Sequence, residues 1–130
     1  MPGGRVAYVL AAAGGVLGAL ARWGVAEALP HRSGSWPWAT LTVNLAGCLL
    51  MGVLLGFLAR HSPEPAWVRP FLAVGVLGGF TTYSAFAVET VALADAGALP
   101  LAAGYVLASV LGGVLAVAAG AAAVRRGAPR

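Results

Sequence analysis

The sequence predicts an all-α membrane protein of four transmembrane helices, with the third helix broken near Gly78–Ser84. Three observations predict it. The 130 residues are 60% hydrophobic and 9% charged, with mean hydropathy +0.88, whereas soluble chains carry about 25% charged residues. Four apolar stretches are each long enough to cross about 30 Å of hydrocarbon at about 1.5 Å per residue. The third of them places glycines and hydroxyls where an apolar helix has little use for them. Little chain remains outside these stretches, so residues 1–130 read as one domain.

The first span runs from about Val6 to Leu29. Arg5 followed by VAYVLAAAGG resembles a signal peptide, but the apolar run continues to Ala28 without a polar region, which predicts a retained helix. Arg22 lies about four turns inside this span. A side chain of that length either snorkels to the far interface or meets an acidic partner.

The second span runs from about Pro37 to Ala59, after a break at Pro30–Pro37. Thr40 and Asn44 stand four apart and so share a face. An unpaired amide in hydrocarbon costs several kcal/mol. Asn44 therefore bonds a neighbouring helix or lines a wet path, and its spacing fits both.

The third span, about Val68 to Ala94, follows a second break at His61–Pro65 and contains VGVLGGFTTYSAFAVET. Gly78 and Gly79 weaken the helix, and Thr81, Thr82 and Ser84 carry hydroxyls that satisfy freed backbone groups. Irregular backbone at membrane depth persists only where protein or a cavity satisfies it. Its carbonyls are then ready ligands for a small cation. A plain kink at a packing contact is the competing reading. Tyr83 and Phe86, three apart, share a face. Their ring edges are positive and favour an anion without a full charge; ordinary aromatic packing is the alternative. Glu89, one turn on, is expected near a vestibule mouth or beside an arginine.

The fourth span runs from about Leu99 to Val124 after a turn at Asp95–Gly97. Tyr105, Ser109 and Gly113 form one stripe at i, i+4 and i+8, where hydroxyls could hydrate an ion. A lone serine more often bonds the carbonyl four residues back. Trp36, Trp38 and Trp67 mark interfaces. Glycine pairs Gly14/Gly18, Gly52/Gly56 and Gly75/Gly79 have close-packing spacing, equally suited to a dimer or to packing within the chain.

The net charge is +4, and every basic residue is arginine. Single arginines at span ends fit membrane flanks rather than a nucleic-acid face. One side of the membrane would receive Arg5, Arg60, Arg69, Arg125, Arg126 and Arg130, the other Arg22 and Arg32. This bias favours both termini in the cytoplasm. Cys48, the only cysteine, excludes an intrachain disulfide and reads as a small packing residue. His31 and His61 sit in loops without a metal-ligand pattern. No nucleophile or nucleotide fingerprint is present, which leaves an enzyme without support.

Three stretches carry a family resemblance: GGVLGALARW at Gly14–Trp23, TLTVNLAGCLLMG at Thr40–Gly52, and GVLGGFTTYSAFAVE at Gly75–Glu89. They resemble the Fluc (CrcB) family of fluoride channels, over all four spans. The resemblance implies an antiparallel dimer in the cytoplasmic membrane of a prokaryote, with two passive fluoride pathways lined by both subunits. It implies a structural sodium ion on backbone carbonyls matching Gly78 and Thr81. It places the pore asparagine at Asn44, the aromatic pair at Tyr83 and Phe86, and a polar track at Tyr105 and Ser109. Thr40 and Ser84 are expected to add hydroxyls to the pathway, and Arg22 and Glu89 to be vestibular or structural. The sequence departs from the family pattern at Tyr83, where phenylalanine is usual, at Ala85 in place of threonine, and at Gly113 in place of serine. Because the arginine bias opposes insertion in both directions, the partner is a second copy or an oppositely oriented paralogue. A proton-coupled small multidrug exporter is the rival, and it would need a carboxylate facing an open cavity.

Overall fold

The computed structural model describes residues 3–127; Arg130 of the basic cluster lies outside the described residues. Among the described residues every regular element is a helix. Helix α1 spans Gly4–Ala28 and α2 Trp38–Leu58. The third span opens as a π-helical segment, Arg69–Leu77, and runs into a single α-helical turn, α3, Gly78–Phe80. After Thr81 and Thr82 the chain resumes as α4, Tyr83–Asp95, and α5 spans Leu99–Arg126. Four helices are long and apolar enough to cross a membrane, as the sequence predicts. Pro70 and Pro100 sit in the first turns of their helices, where the missing N–H costs nothing. Gly97 turns α4 into α5 with φ +77°, a conformation glycine reaches without strain.

Neighbours in sequence are not the main packing partners. Helix α1 packs on the π-helical segment and α3, and α2 packs on α5. Both pairs run parallel, and glycines set both contacts. A Cβ on Gly14 would strike the backbone of Phe71 and Val76, and one on Gly18 that of Val76 and Phe80. Gly75 and Gly79 meet Gly14 and Gly15 from the other side. In the second pair, Gly52 rests on Val117 and Gly120 on Leu49 and Val53. These close-packing glycines therefore act within the chain, the reading that spacing alone left level with dimerisation.

The buried core is small and polar-capped. Leu41, Leu93, Ala102 and Tyr105 form it, with Trp36, Leu45 and Phe86 against them. Most large apolar side chains face outward, among them Leu17, Leu20, Val114 and Leu115. In water such a surface would aggregate; in a bilayer it faces hydrocarbon at no cost.

Candidate ion-conduction site

The third span changes backbone at Thr81 and Thr82. Thr81 has φ −81° and ψ 158°, and Thr82 has φ −148° and ψ 123°, both extended. Two residues of strand-like chain inside a membrane span leave polar groups to satisfy. Asn44 satisfies those of Thr82 in both directions. Its Nδ2 donates to the Thr82 carbonyl at 2.9 Å, and its Oδ1 accepts from the Thr82 N–H at 2.8 Å. The Thr82 hydroxyl accepts from the Ala85 N–H at 3.2 Å, capping α4, and lies 3.2 Å from the Ser84 hydroxyl. Thr81 returns its own hydroxyl to the Leu77 carbonyl at 2.9 Å.

This arrangement leaves the carbonyls around the break without their helical donors, those of Gly78 and Thr81 among them. The Thr82 N–H, which a continuous α-helix would give to Gly78, is spent on Asn44. The Ala85 N–H, which it would give to Thr81, is spent on the Thr82 hydroxyl. Gly78 is exposed on the surface of the chain, and Gly78 and Thr81 line a common cavity of about 230 Å³ with Asn44, Gly47 and Met51.

A second cavity, about 300 Å³, gathers Asn44, Thr81, Thr82, Tyr83, Phe86 and Ser109 from α2, α4 and α5. Asn44 has two amide hydrogens and spends one on Thr82, so one remains to donate. The Ser109 hydroxyl is buried without a hydrogen-bond partner, so it does not return to the preceding turn. Tyr83 and Phe86 lie with ring centroids 5.8 Å apart at 48°. Tyr83 is 80% exposed, an unusual setting for a phenol at this depth.

A third cavity, about 380 Å³, lies on the other side of α4, with Arg22, His31, Thr40, Thr82 and Glu89 in its wall. Glu89, expected near a vestibule mouth or beside an arginine, shares this wall with Arg22, and two hydroxyls hold its carboxylate. Thr40 donates to Oε1 at 2.7 Å and Tyr105 to Oε2 at 2.7 Å. Among the described residues the one ion pair joins Glu64 to Arg69 at the start of the third span, so Arg22 makes no direct ion pair, although it shares the cavity wall with the Glu89 carboxylate.

The structure thus divides the sequence-derived residues into two groups. Asn44, Tyr83, Phe86 and Ser109 share one cavity, with Ser84 hydrogen-bonded to its rim through Thr82. Arg22, Thr40 and Glu89 share another. Tyr105 lines neither; it is fully buried, 5.4 Å from Phe86 and 5.8 Å from Trp36 between ring centroids, and reaches the second group through Glu89. Thr82 is the residue sequence reasoning undervalued. It lies in the wall of both large cavities and ties α2 to α4. The signal was present: a threonine three residues before Ala85 at a helix restart is a standard N-cap.

The CrcB-like protein (Camphor Resistance, CrcB) family model matches residues 9–121, which takes in all four spans. The chain belongs to the CrcB family. Its similarity to individual CrcB proteins is high and nearly full-length. It is 50% identical to a protein of Rhodospirillum centenum over 88% of this chain and 91% of that one. It is 45% identical to a protein of Paracoccus denitrificans over 87% and 90%, and 44% identical to one of Pseudomonas fluorescens over 86% and 91%. All three relatives bear the name fluoride-specific ion channel FluC. The CrcB family is one of ion channels, so this chain is a multi-pass membrane protein and not an enzyme.

Proposed function

We propose that this CrcB chain is a fluoride-selective passive channel that lets fluoride leave the cytoplasm down its electrochemical gradient. One observation carries the reading: two unspent hydrogen-bond donors, on Asn44 and Ser109, share a cavity with the rings of Tyr83 and Phe86. Fluoride holds its water strongly, so a path must replace that water with donors. Amide and hydroxyl groups do this without the trapping depth of a fixed charge, and positive ring edges add a weaker attraction. Larger halides are excluded where donors stand too close together.

The working unit is an antiparallel dimer. Tyr83 and Gly78 are exposed at mid-span, where a polar rim would otherwise meet lipid. A second chain covers them and completes the path. It is either another copy or an oppositely oriented paralogue, and the arginine bias bears on which. The Gly78 and Thr81 carbonyls fit a structural sodium ion. They are hard oxygen donors without helical partners, and a two-fold-related chain doubles their number. Bound there, sodium would supply the positive charge that holds two polar backbone segments together.

The exporter reading fares worse. Its candidate carboxylate, Glu89, does line the cavity of about 380 Å³, but both its oxygens are held by Thr40 and Tyr105; drug-dependent proton uptake without fluoride release would favour the exporter.

Purified protein in liposomes should release fluoride to an ion-selective electrode far faster than it releases chloride; equal rates would reject the selectivity. Phe86→Ile should slow fluoride efflux by about tenfold, since one aromatic contact contributes about 0.5–1.5 kcal/mol and apolar bulk is kept. Unchanged efflux would remove the ring edge from the path. Sodium, compared with a large organic cation at equal ionic strength, should raise the midpoint of dimer dissociation. A dimer indifferent to the cation would remove the Gly78 and Thr81 site.

A further inference from the structure

A fourth cavity stands apart from the ion-conduction site. It measures about 280 Å³ and lies between the C-terminal turns of α2 and the start of the third span, with Leu54, Phe57, Leu58, Trp67, Val68 and Leu72 in its wall. No polar atom reaches its surface. The His61 ring closes one side, stacked on Phe57 with centroids 4.1 Å apart at 15° and its Nδ1 turned to the Phe57 carbonyl at 2.9 Å. A slot so lined repels water and accepts hydrocarbon.

Its rim is cationic. Arg60 and Arg69 flank the loop that roofs it, and Arg60 donates to the Val124 carbonyl at 2.9 Å, which draws the end of α5 alongside. Arg125 and Arg126 occupy that last turn and are exposed. Glu64 offsets Arg69 alone. Trp67, half exposed at the rim, sets the level at the membrane interface, where headgroup phosphates lie.

We infer that this slot is a binding site for an anionic glycerophospholipid, with an acyl chain among Leu54, Phe57 and Leu72 and the phosphate between Arg60 and the end of α5. The two requirements of such a lipid, a dry channel for its chain and positive charge one headgroup above it, meet at this end of the bundle. At the opposite end, Glu27 in the last turn of α1 and Asp95 at the end of α4 accompany Arg32, so the cationic half of the site is missing there. The site is independent of fluoride conduction, and its test reads lipid rather than flux.

The experiment is native mass spectrometry of the purified protein taken from nanodiscs of equal phosphatidylglycerol and phosphatidylcholine. Wild-type protein should carry phosphatidylglycerol in preference. Arg60→Gln with Arg125→Gln should lower that preference about thirtyfold, from about 1 kcal/mol per arginine at a membrane surface. Leu72→Trp, which fills the slot and leaves every arginine, should lower the retention of both lipids. Leu54→Phe serves the same purpose by a smaller change if Leu72→Trp does not fold. Retained lipid in both filled variants would overturn the slot, leaving only diffuse attraction to a basic face. Equal retention of both lipids by wild type would overturn the headgroup assignment. Loss of lipid whenever the protein dimerises would give the slot to a second copy instead.

Discussion

Asn44→Leu should bring fluoride efflux from liposomes down to the protein-free background, a loss of about a thousandfold. The size follows from what the substitution strands. Leucine keeps the volume but removes both hydrogen bonds to Thr82. An N–H and a carbonyl at mid-membrane then lose their partners, at about 1–3 kcal/mol each. The cavity also loses the amide hydrogen that the bond to Thr82 leaves free. A barrier raised by about 4 kcal/mol slows flux by about a thousandfold. Efflux from liposomes, with elution volume and helical circular dichroism as controls, is the measurement. Ser109→Ala separates the two contributions. It deletes a donor that touches no backbone, so it should cost flux about tenfold and leave thermal stability unchanged. Full efflux in Asn44→Leu would take the cavity out of the conduction path.

Gly18→Val and Gly52→Val should each prevent recovery of folded protein. At Gly18 an added Cβ meets the Val76 carbonyl and the Phe80 amide nitrogen, and at Gly52 it meets the Val117 carbonyl. These are backbone atoms in helices, with no rotamer to swing aside. Overpacking costs about 1–3 kcal/mol even where side chains can adjust. Here whole helices must separate, and the loss falls on the two interfaces that hold the bundle together. Gly24→Ala is the control, since a Cβ there meets nothing within 4 Å. It should be neutral or raise stability by up to about 1 kcal/mol through helix propensity. Monodisperse elution of Gly18→Val or Gly52→Val with native thermal stability would show that the interfaces tolerate spreading.

Several features of the site were legible in the chain because they violate the rule of their surroundings. Asn44, Thr81, Thr82 and Ser84 are polar in apolar spans, and cost alone demands a reason for each. Partners were not legible in the same way. Thr82 and Asn44 are 38 residues apart, and nothing local in either stretch names the other. Glu89 illustrates the same limit. Its charge suggested a vestibule mouth or an arginine, and nothing local foretold the hydroxyls of Thr40 and Tyr105 that reach it from α2 and α5. Tyr105 shares a stripe with Ser109 by spacing, yet one turn of helix takes it from the cavity wall to the core.

The number of spans, their approximate limits and their lipid-facing character follow from the sequence alone, because hydrocarbon thickness and the cost of unpaired polar groups act on each stretch separately. The pairing of α1 with the third span and of α2 with α5 was decided only in three dimensions. So were the role of the glycines inside the chain and the sorting of polar residues into two cavities. Those outcomes depend on which helix faces which, and facing is a property of the packed bundle that no single stretch contains.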